Sequence, residues 1–209
     1  MDTNRHRPRL GVLGGTFNPV HLGHLIMAQD AIEHFELSKV VFLPCAQPPH
    51  KSQNELTPAH HRLAMLEGAI EGDLQFEVSD MELRRGGISY TIDSMRGLAK
   101  EHPDCDLCFI IGADSLVELH LWKDILLLLQ LCRIVTLARP GIDLAVLGAL
   151  ELNLPPPWPG RLLADVRVGH LVNISSTDIR YRAAEGMSIR YLVSPAVDMY
   201  ISEHSLYRR

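Results

Sequence analysis

The chain is short of cysteine, of long hydrophobic runs and of basic charge, and each shortage removes a class of protein. Four cysteines in 209 residues do not make the disulfide frame of a small secreted domain. Cys105 and Cys108 have the Cys-x-x-Cys spacing, but no second pair or following helix accompanies them. Cys108 opens a strand-like run in which positions three apart face opposite sides, so reduced, partly buried thiols are expected. The longest apolar run, residues 125–131, contains Gln130 and is far too short to cross a bilayer. The opening MDTNRHRPRL passes into a strand-like run without an apolar stretch or a small-residue cleavage site. A soluble, cytoplasmic protein without a secretory signal is therefore expected. Lys and Arg number 20 against 25 Asp and Glu, a net charge of -5, which argues against the broad basic face that nucleic acid requires. An anionic ligand has to be held locally.

What is present is enough to bury one core: 46% hydrophobic and 22% charged residues fall in the range of one domain. A single domain over residues 1–209 is expected, with residues 1–8 as a flexible extension. Strand-like runs begin at RLGVLGG, KVVFLPC, FEVSDME, LCFIIGAD, RIVTLAR and VGHLVNIS. Between them lie segments with apolar residues at helical spacing, over about 21–35, 58–71, 91–102, 122–131, 142–152, 177–185 and 195–204. This alternation predicts an α/β fold with an open, doubly wound, mainly parallel sheet and helices on both faces. Continuously apolar strands such as residues 109–111 require cover on both sides. Thr57 before Pro58 and Ser194 before Pro195 mark two helix starts. LPPPWPG, residues 154–160, reads as an exposed connection, and there is no internal repeat.

Ligands of open α/β sheets bind beyond the carboxyl ends of the strands, and the unusual residues gather at those places. After the first strand comes GGTFNPVHLGH, residues 14–24, which is neither a GxGxxG fingerprint nor a Walker loop. Gly14 and Gly15 permit a tight turn, and His21 and His24 share one side of a helical turn around Gly23. Two imidazoles at a helix N-terminus make a phosphate site. Taken alone, the pair also reads as ordinary capping or surface residues, and zinc would need a third ligand that the neighbourhood does not offer.

The second strand is followed by PCAQPPHKSQ, presenting His50 and Lys51, and the fourth by GADS, residues 112–115. Asp114 there serves a ribose hydroxyl or caps the next helix. Trp122, in HLWKD, is either a flat face for a heteroaromatic ring or a half-buried packing residue. ISSTDIR, residues 174–180, offers Ser175, Ser176 and Thr177 at a helix start with Arg180 one turn later, a second anion site. RRGGISYT, residues 84–91, leads into a helix start at Thr91 whose free N–H groups suit a carboxylate.

With these residues together, the chain resembles the bacterial nicotinate-nucleotide adenylyltransferases of the HxGH nucleotidyltransferase superfamily. The resemblance runs through GGTFNPVHLGH, PPHK, SYT, GADS, Trp122, ARPG, ISSTDIR and YLVSPAVDMYISEHSLY, which spans nearly the whole chain in order. Asn18 stands where many relatives have Asp, and residues 142–167 carry no motif of the family. The resemblance implies a Rossmann-like fold and direct attack of the mononucleotide 5′-phosphate on the α-phosphorus of ATP, with pyrophosphate leaving and Mg²⁺ held mainly by the ATP phosphates. It implies catalytic roles at the phosphates for His21, His24, Lys51 and Arg180. ATP binding falls to Gly14, Gly15, Thr16, Phe17, Gly23, Gly112, Asp114, Ser176 and Thr177. Pyridine-nucleotide binding falls to Asn18, Thr91, Trp122 and Arg139, with Trp122 on the ring and Thr91 at the carboxylate. No protein-held metal, nucleic acid or membrane partner is implied, and a homodimer is compatible. The alternatives are the same chemistry on nicotinamide mononucleotide, phosphopantetheine or glycerol phosphate, or a binding module without turnover.

Overall fold

Six runs of the chain pair as strands: β1 (Arg9–Gly15), β2 (Lys39–Pro44), β3 (Phe76–Val78), β4 (Asp106–Gly112), β5 (Arg133–Ala138) and β6 (Val166–Val168). The computed structural model describes residues 7–49, 56–138, 152–170 and 172–208. The strands form one sheet in the order β3-β2-β1-β4-β5-β6, parallel at every pairing, with Val12 of β1 beside Val41 on one side and Phe109 on the other. The order reverses between β1 and β4, so the crevice at their carboxyl ends is where this topology places a ligand.

Alternation along each strand splits the core into two. Val12, Val41, Phe109, Ile111 and Ile134 pack on one face. That face is covered by α4 (Thr91–Glu101), α6 (Ile125–Leu131) and α7 (Trp158–Ala164). Leu13, Val40, Phe42, Ile110 and Val135 pack on the other. Its cover comes from α1 (Leu22–Phe35), α2 (Ala59–Ile70), α8 (Ser176–Ala184) and α9 (Pro195–Glu203). Such burial on both faces is what makes parallel strands read as unbroken apolar runs. In α4 the buried Ile92, Met95 and Leu98 are the stripe that seats it on the sheet.

Several expectations need correction. The third strand ends at Val78, and a short helix, α3 (Met81–Arg85), follows. A five-residue helix, α5 (Ala113–Val117), begins directly at the end of β4, and a 3-10 turn at Leu119–Leu121 precedes Trp122, so the helix expected from residue 122 starts at Ile125. The sixth strand lies earlier than expected, at Val166–Val168, and residues 169–170 and 172–175 belong to no strand or helix. The proline-rich run is a helix entry: Pro157 is the cap residue of α7 and Pro159 falls in its first turn, where a missing N–H costs nothing. Pro58 is itself the cap of α2, one place later than Thr57 was read, whereas the Ser194 hydroxyl does accept the Val197 N–H at 3.4 Å. Arg7 and Pro8 are attached, since the Pro8 carbonyl accepts the Asp106 N–H at 2.9 Å. The remainder of the expected extension, residues 1–6, and residues 142–151 of the expected helix 142–152 lie outside the described residues.

Candidate active site

The β1–α1 turn is shaped by aromatic packing. Neither Gly14 nor Gly15 adopts a positive φ; a Cβ on Gly14 would lie 3.1 Å from the Phe109 ring, and one on Gly15 3.2 Å from the Phe17 ring. The left-handed residue is Phe17, at φ 45°. Its ring is almost fully buried, edge-on to His24 at 5.0 Å and to Phe42 at 5.8 Å. That packing offsets the strain of a non-glycine residue in this region.

His21 caps α1 and is 8% exposed. The His21 and His24 rings stack at 3.7 Å, and the His21 backbone N–H donates to His24 Nδ1 at 3.2 Å. A Cβ on Gly23 would come within 3.0 Å of the His21 ring and 3.3 Å of Val172, so glycine lets the imidazole lie flat against the turn. Burial pushes the His21 pKa down to about 4. Burial, and then the neighbouring His21, push His24 well below its ordinary 6.5. The His21 Nδ1 is buried without a hydrogen-bond partner in the structure, a condition that costs free energy until a partner arrives.

The start of α8 is braced against this turn. Ser175 caps α8 by accepting the Asp178 N–H at 3.1 Å. Ser176 donates to the Pro19 carbonyl at 2.8 Å, and Arg180 donates to the Asn18 carbonyl at 2.8 Å and to the Thr177 hydroxyl at 3.3 Å. The two helix starts therefore form one unit. Between them opens a cavity of about 350 Å³, reached by His21, His24, Gly112, Asp114 and Ser176. Asp114 is exposed there and does not cap α5, whose cap residue is Gly112. The capping alternative for Asp114 is thereby set aside.

On the other side of the switch point, Thr91 opens α4 with no side chain capping the helix. Trp122 is half-buried, with its ring edge-on to Phe109 at 5.9 Å. Lys123 joins these two places, 4.2 Å above the Tyr90 ring and 3.2 Å from Asp93. The loop after β2 is tied to the same segment, as the Ala46 N–H donates to Ser89 Oγ at 3.1 Å and the Ser89 N–H to the Gln47 carbonyl at 2.8 Å. His50, Lys51 and Arg139 lie outside the described residues. Asn18 is 2% exposed, and its side-chain oxygen accepts from Tyr207 at 3.0 Å and from the Thr57 N–H at 3.4 Å. It stands under the turn as a brace.

Two residues with a part in this site escaped the sequence reading. Arg62 of α2 is 1% exposed and donates to three loop carbonyls, Thr16 at 2.7 Å, Thr57 at 2.9 Å and Ala46 at 3.5 Å. Asp30 of α1 is 4% exposed and reaches across to the loop after β6. A charge on the apolar side of a helix, between Ala28 and Ala31 or ahead of Met65 and Leu66, was the available signal.

A larger cavity of about 790 Å³ opens at the opposite, amino edge of the sheet, beside Arg9, Asp106, Arg133 and Asp165. Three of its arginines are paired with carboxylates or carbonyls, Arg133 with Asp165, Arg7 with Asp106, and Arg9 with Glu36 and the Phe35 carbonyl, and Arg161 lies over the Trp158 ring. The buried, unpartnered His21 Nδ1 is at the other edge.

The sequence matches the cytidylyltransferase-like family over residues 12–182. It is 46% identical over 201 residues to a probable nicotinate-nucleotide adenylyltransferase of Symbiobacterium thermophilum, covering 96% of each chain. It is 41% identical over 209 residues to a protein of the same description from Desulfitobacterium hafniense, covering 100% of each. Among solved structures, the Plasmodium falciparum nicotinic acid mononucleotide adenylyltransferase complexed with NaAD shares the fold with a TM-score of 0.72 at 17% identity, over 96% of this chain and 97% of that one.

Proposed function

We propose how this site works from one premise: the chain belongs to the cytidylyltransferase-like family and, within it, to the nicotinate-nucleotide adenylyltransferases. It transfers the adenylyl group of ATP to nicotinate mononucleotide, giving nicotinate adenine dinucleotide and pyrophosphate. A 5′-phosphate oxygen of the mononucleotide attacks the α-phosphorus, the bond to the bridging oxygen of the β-phosphate breaks, and pyrophosphate leaves. The enzyme forms no covalent bond to substrate, so its contribution is positioning and stabilisation of charge.

One observation carries the reading: a stacked histidine pair with a buried, unpartnered Nδ1 faces a second helix start across a cavity at the switch point of the sheet. His21 and His24 hold the phosphates, with His24 nearest the transferring group. Their low pKa values belong to the free site; a triphosphate brings negative charge that favours the protonated rings. Thr177 and Arg180 serve the β- and γ-phosphates, joined by Ser176 when it turns from the Pro19 carbonyl, and Asp114 takes the ribose. The uncapped start of α4 at Thr91 receives the nicotinate carboxylate, and Trp122 lies along the pyridine ring. Lys51 and Arg139 are assigned to the phosphates and the pyridine nucleotide by family pattern. Mg²⁺ is assigned to the oxygens of the triphosphate, where it would supply charge neutralisation.

The test is pyrophosphate release with ATP, Mg²⁺ and either nicotinate or nicotinamide mononucleotide. Preference for the acid by on the order of tenfold or more is expected from a site that offers donors to a carboxylate. Preference for the amide would keep the transfer and overturn the role of α4. Release with neither acceptor would overturn the transfer itself.

A further inference from the structure

The cavity on the α8 side continues past the phosphate residues along one face of α1. Gly23, Ile26, Met27 and Asp30 line it at helical spacing, and from His24 to Asp30 the helix advances about 9 Å, roughly the span of a nucleoside from its α-phosphate. At that far end Asp30 Oδ2 accepts the His170 backbone N–H at 2.7 Å, and Oδ1 accepts the His170 Nδ1–H at 2.6 Å. A Cβ on Gly169 would lie 2.6 Å from Asp30 Oδ2. The turn after β6 is thus built to admit this carboxyl group, and Gly169 is itself held by its N–H to the Ala138 carbonyl at 3.0 Å. Two backbone-anchored points and a side-chain bond fix a loop that has left the sheet. The His170 side chain stays 74% exposed at the cavity, and with Nδ1 committed to Asp30 its Nε2 is the atom left for a ligand.

We propose that His170, oriented by Asp30, determines affinity for the nucleoside half of the donor: it gives its Nε2–H to an acceptor atom on the adenosine moiety, while Asp30 is the positioning residue that sets the ring and the wall of the cavity. This rests on reading the cavity as the ATP site. The hydrogen bond to Asp30, then its charge, and more weakly Glu33, hold the His170 pKa above its ordinary 6.5. The ionisable groups facing the ring are Asp30 and Glu33 of α1, with Asp114 across the cavity and His21 and His24 at its other end. No lysine or arginine is among the described residues that line it. The protonated ring is the donor, so donor affinity is highest on the acid side of the His170 titration and weakens as pH rises through it.

The experiment is steady-state pyrophosphate release with both substrates varied, on unaltered protein, H170A and D30N, from about pH 6.5 to about pH 8.5. H170A is expected to raise KM for ATP about tenfold, the scale of one hydrogen bond from a charged donor. Its KM for nicotinate mononucleotide and its kcat at saturating ATP should stay within about twofold. The rise of KM for ATP with pH in the unaltered protein should flatten in H170A and weaken in D30N. A merely structural pair would lower the unfolding midpoint and leave the KM for ATP and its pH profile alone. Normal release with an unchanged KM for ATP in H170A, or an equal rise in both KM values, overturns the proposal alone. No release from the unaltered protein would instead overturn the transfer reading on which it stands.

Discussion

The two edges of the sheet differ in how their polar groups are satisfied. The amino edge has the larger cavity and more arginine, yet Arg133 with Asp165, Arg7 with Asp106 and Arg9 with Glu36 answer each other's charge. The carboxyl edge has the smaller cavity and little formal charge, but it holds a buried unpartnered His21 Nδ1 and a helix, α4, that no side chain caps. Cavity size alone would point to the wrong edge. The unmet hydrogen-bonding capacity points to the edge where the order of the strands reverses.

The comparison breaks most visibly at His24. His24→Ala should lower kcat by on the order of 10²-fold or more, the usual scale for one preorganised donor, with the unfolding midpoint little changed. Near-normal turnover would return the stacked pair to a packing role. A second large effect is on stability against pH. The folded state binds fewer protons at His21 than the unfolded chain, because its pKa falls from 6.5 to about 4. The contribution is therefore complete above about pH 6.5 and is lost as pH falls toward 4. The full shift corresponds to about 3 kcal/mol. Urea unfolding at a series of pH values should show this slope in the unaltered protein and lose much of it in His21→Gln. An identical slope in both would put the proton uptake elsewhere.

What was legible in the sequence follows from where each signal is stored. Period-two burial in β4, with Cys108 and Ile110 on one face and Phe109 and Ile111 on the other, belongs to local composition, so the doubly wound sheet could be read. HxGH and ISSTDIR are contiguous, so their residues could be named. That Ser176 and Arg180 hold the Pro19 and Asn18 carbonyls is a contact across about 160 positions that no local pattern encodes. The same holds for Arg62, which gathers three carbonyls from two loops, and for Asp30, which meets His170. At Gly14 and Gly15 the close approach is that of the Phe109 and Phe17 rings, and the left-handed residue of the turn is Phe17.

A smaller effect sharpens the contrast within the carboxyl edge itself. Trp122→Ala should raise KM for nicotinate mononucleotide by a stacking loss of about 1 kcal/mol, with KM for ATP little changed, while Trp122→Phe retains most of the affinity. Because the Trp122 ring is edge-on to Phe109, and Phe109 lies against Gly14, a purely packing role predicts a different outcome. The substitution would then lower the unfolding midpoint and disturb both KM values together.

The smallest effect is expected where the charges are densest. Arg133 is bound to Asp165 through Nε at 2.7 Å and through a second guanidinium nitrogen, with its side chain 39% exposed. Arg133→Ala should therefore cost about 1 kcal/mol or less of stability in urea unfolding and leave kcat and both KM values unchanged. β5 runs from Arg133 to Ala138, a residue at the wall of the carboxyl-edge cavity, and five strand steps separate the two by about 17 Å. That exceeds the screening length of roughly 8 Å at physiological salt, so the lost charge is not felt at the phosphates. A drop in turnover with a small loss of stability would mean that β5 carries strain from one edge to the other. The two edges would then be one coupled device, and the division drawn between them would fail.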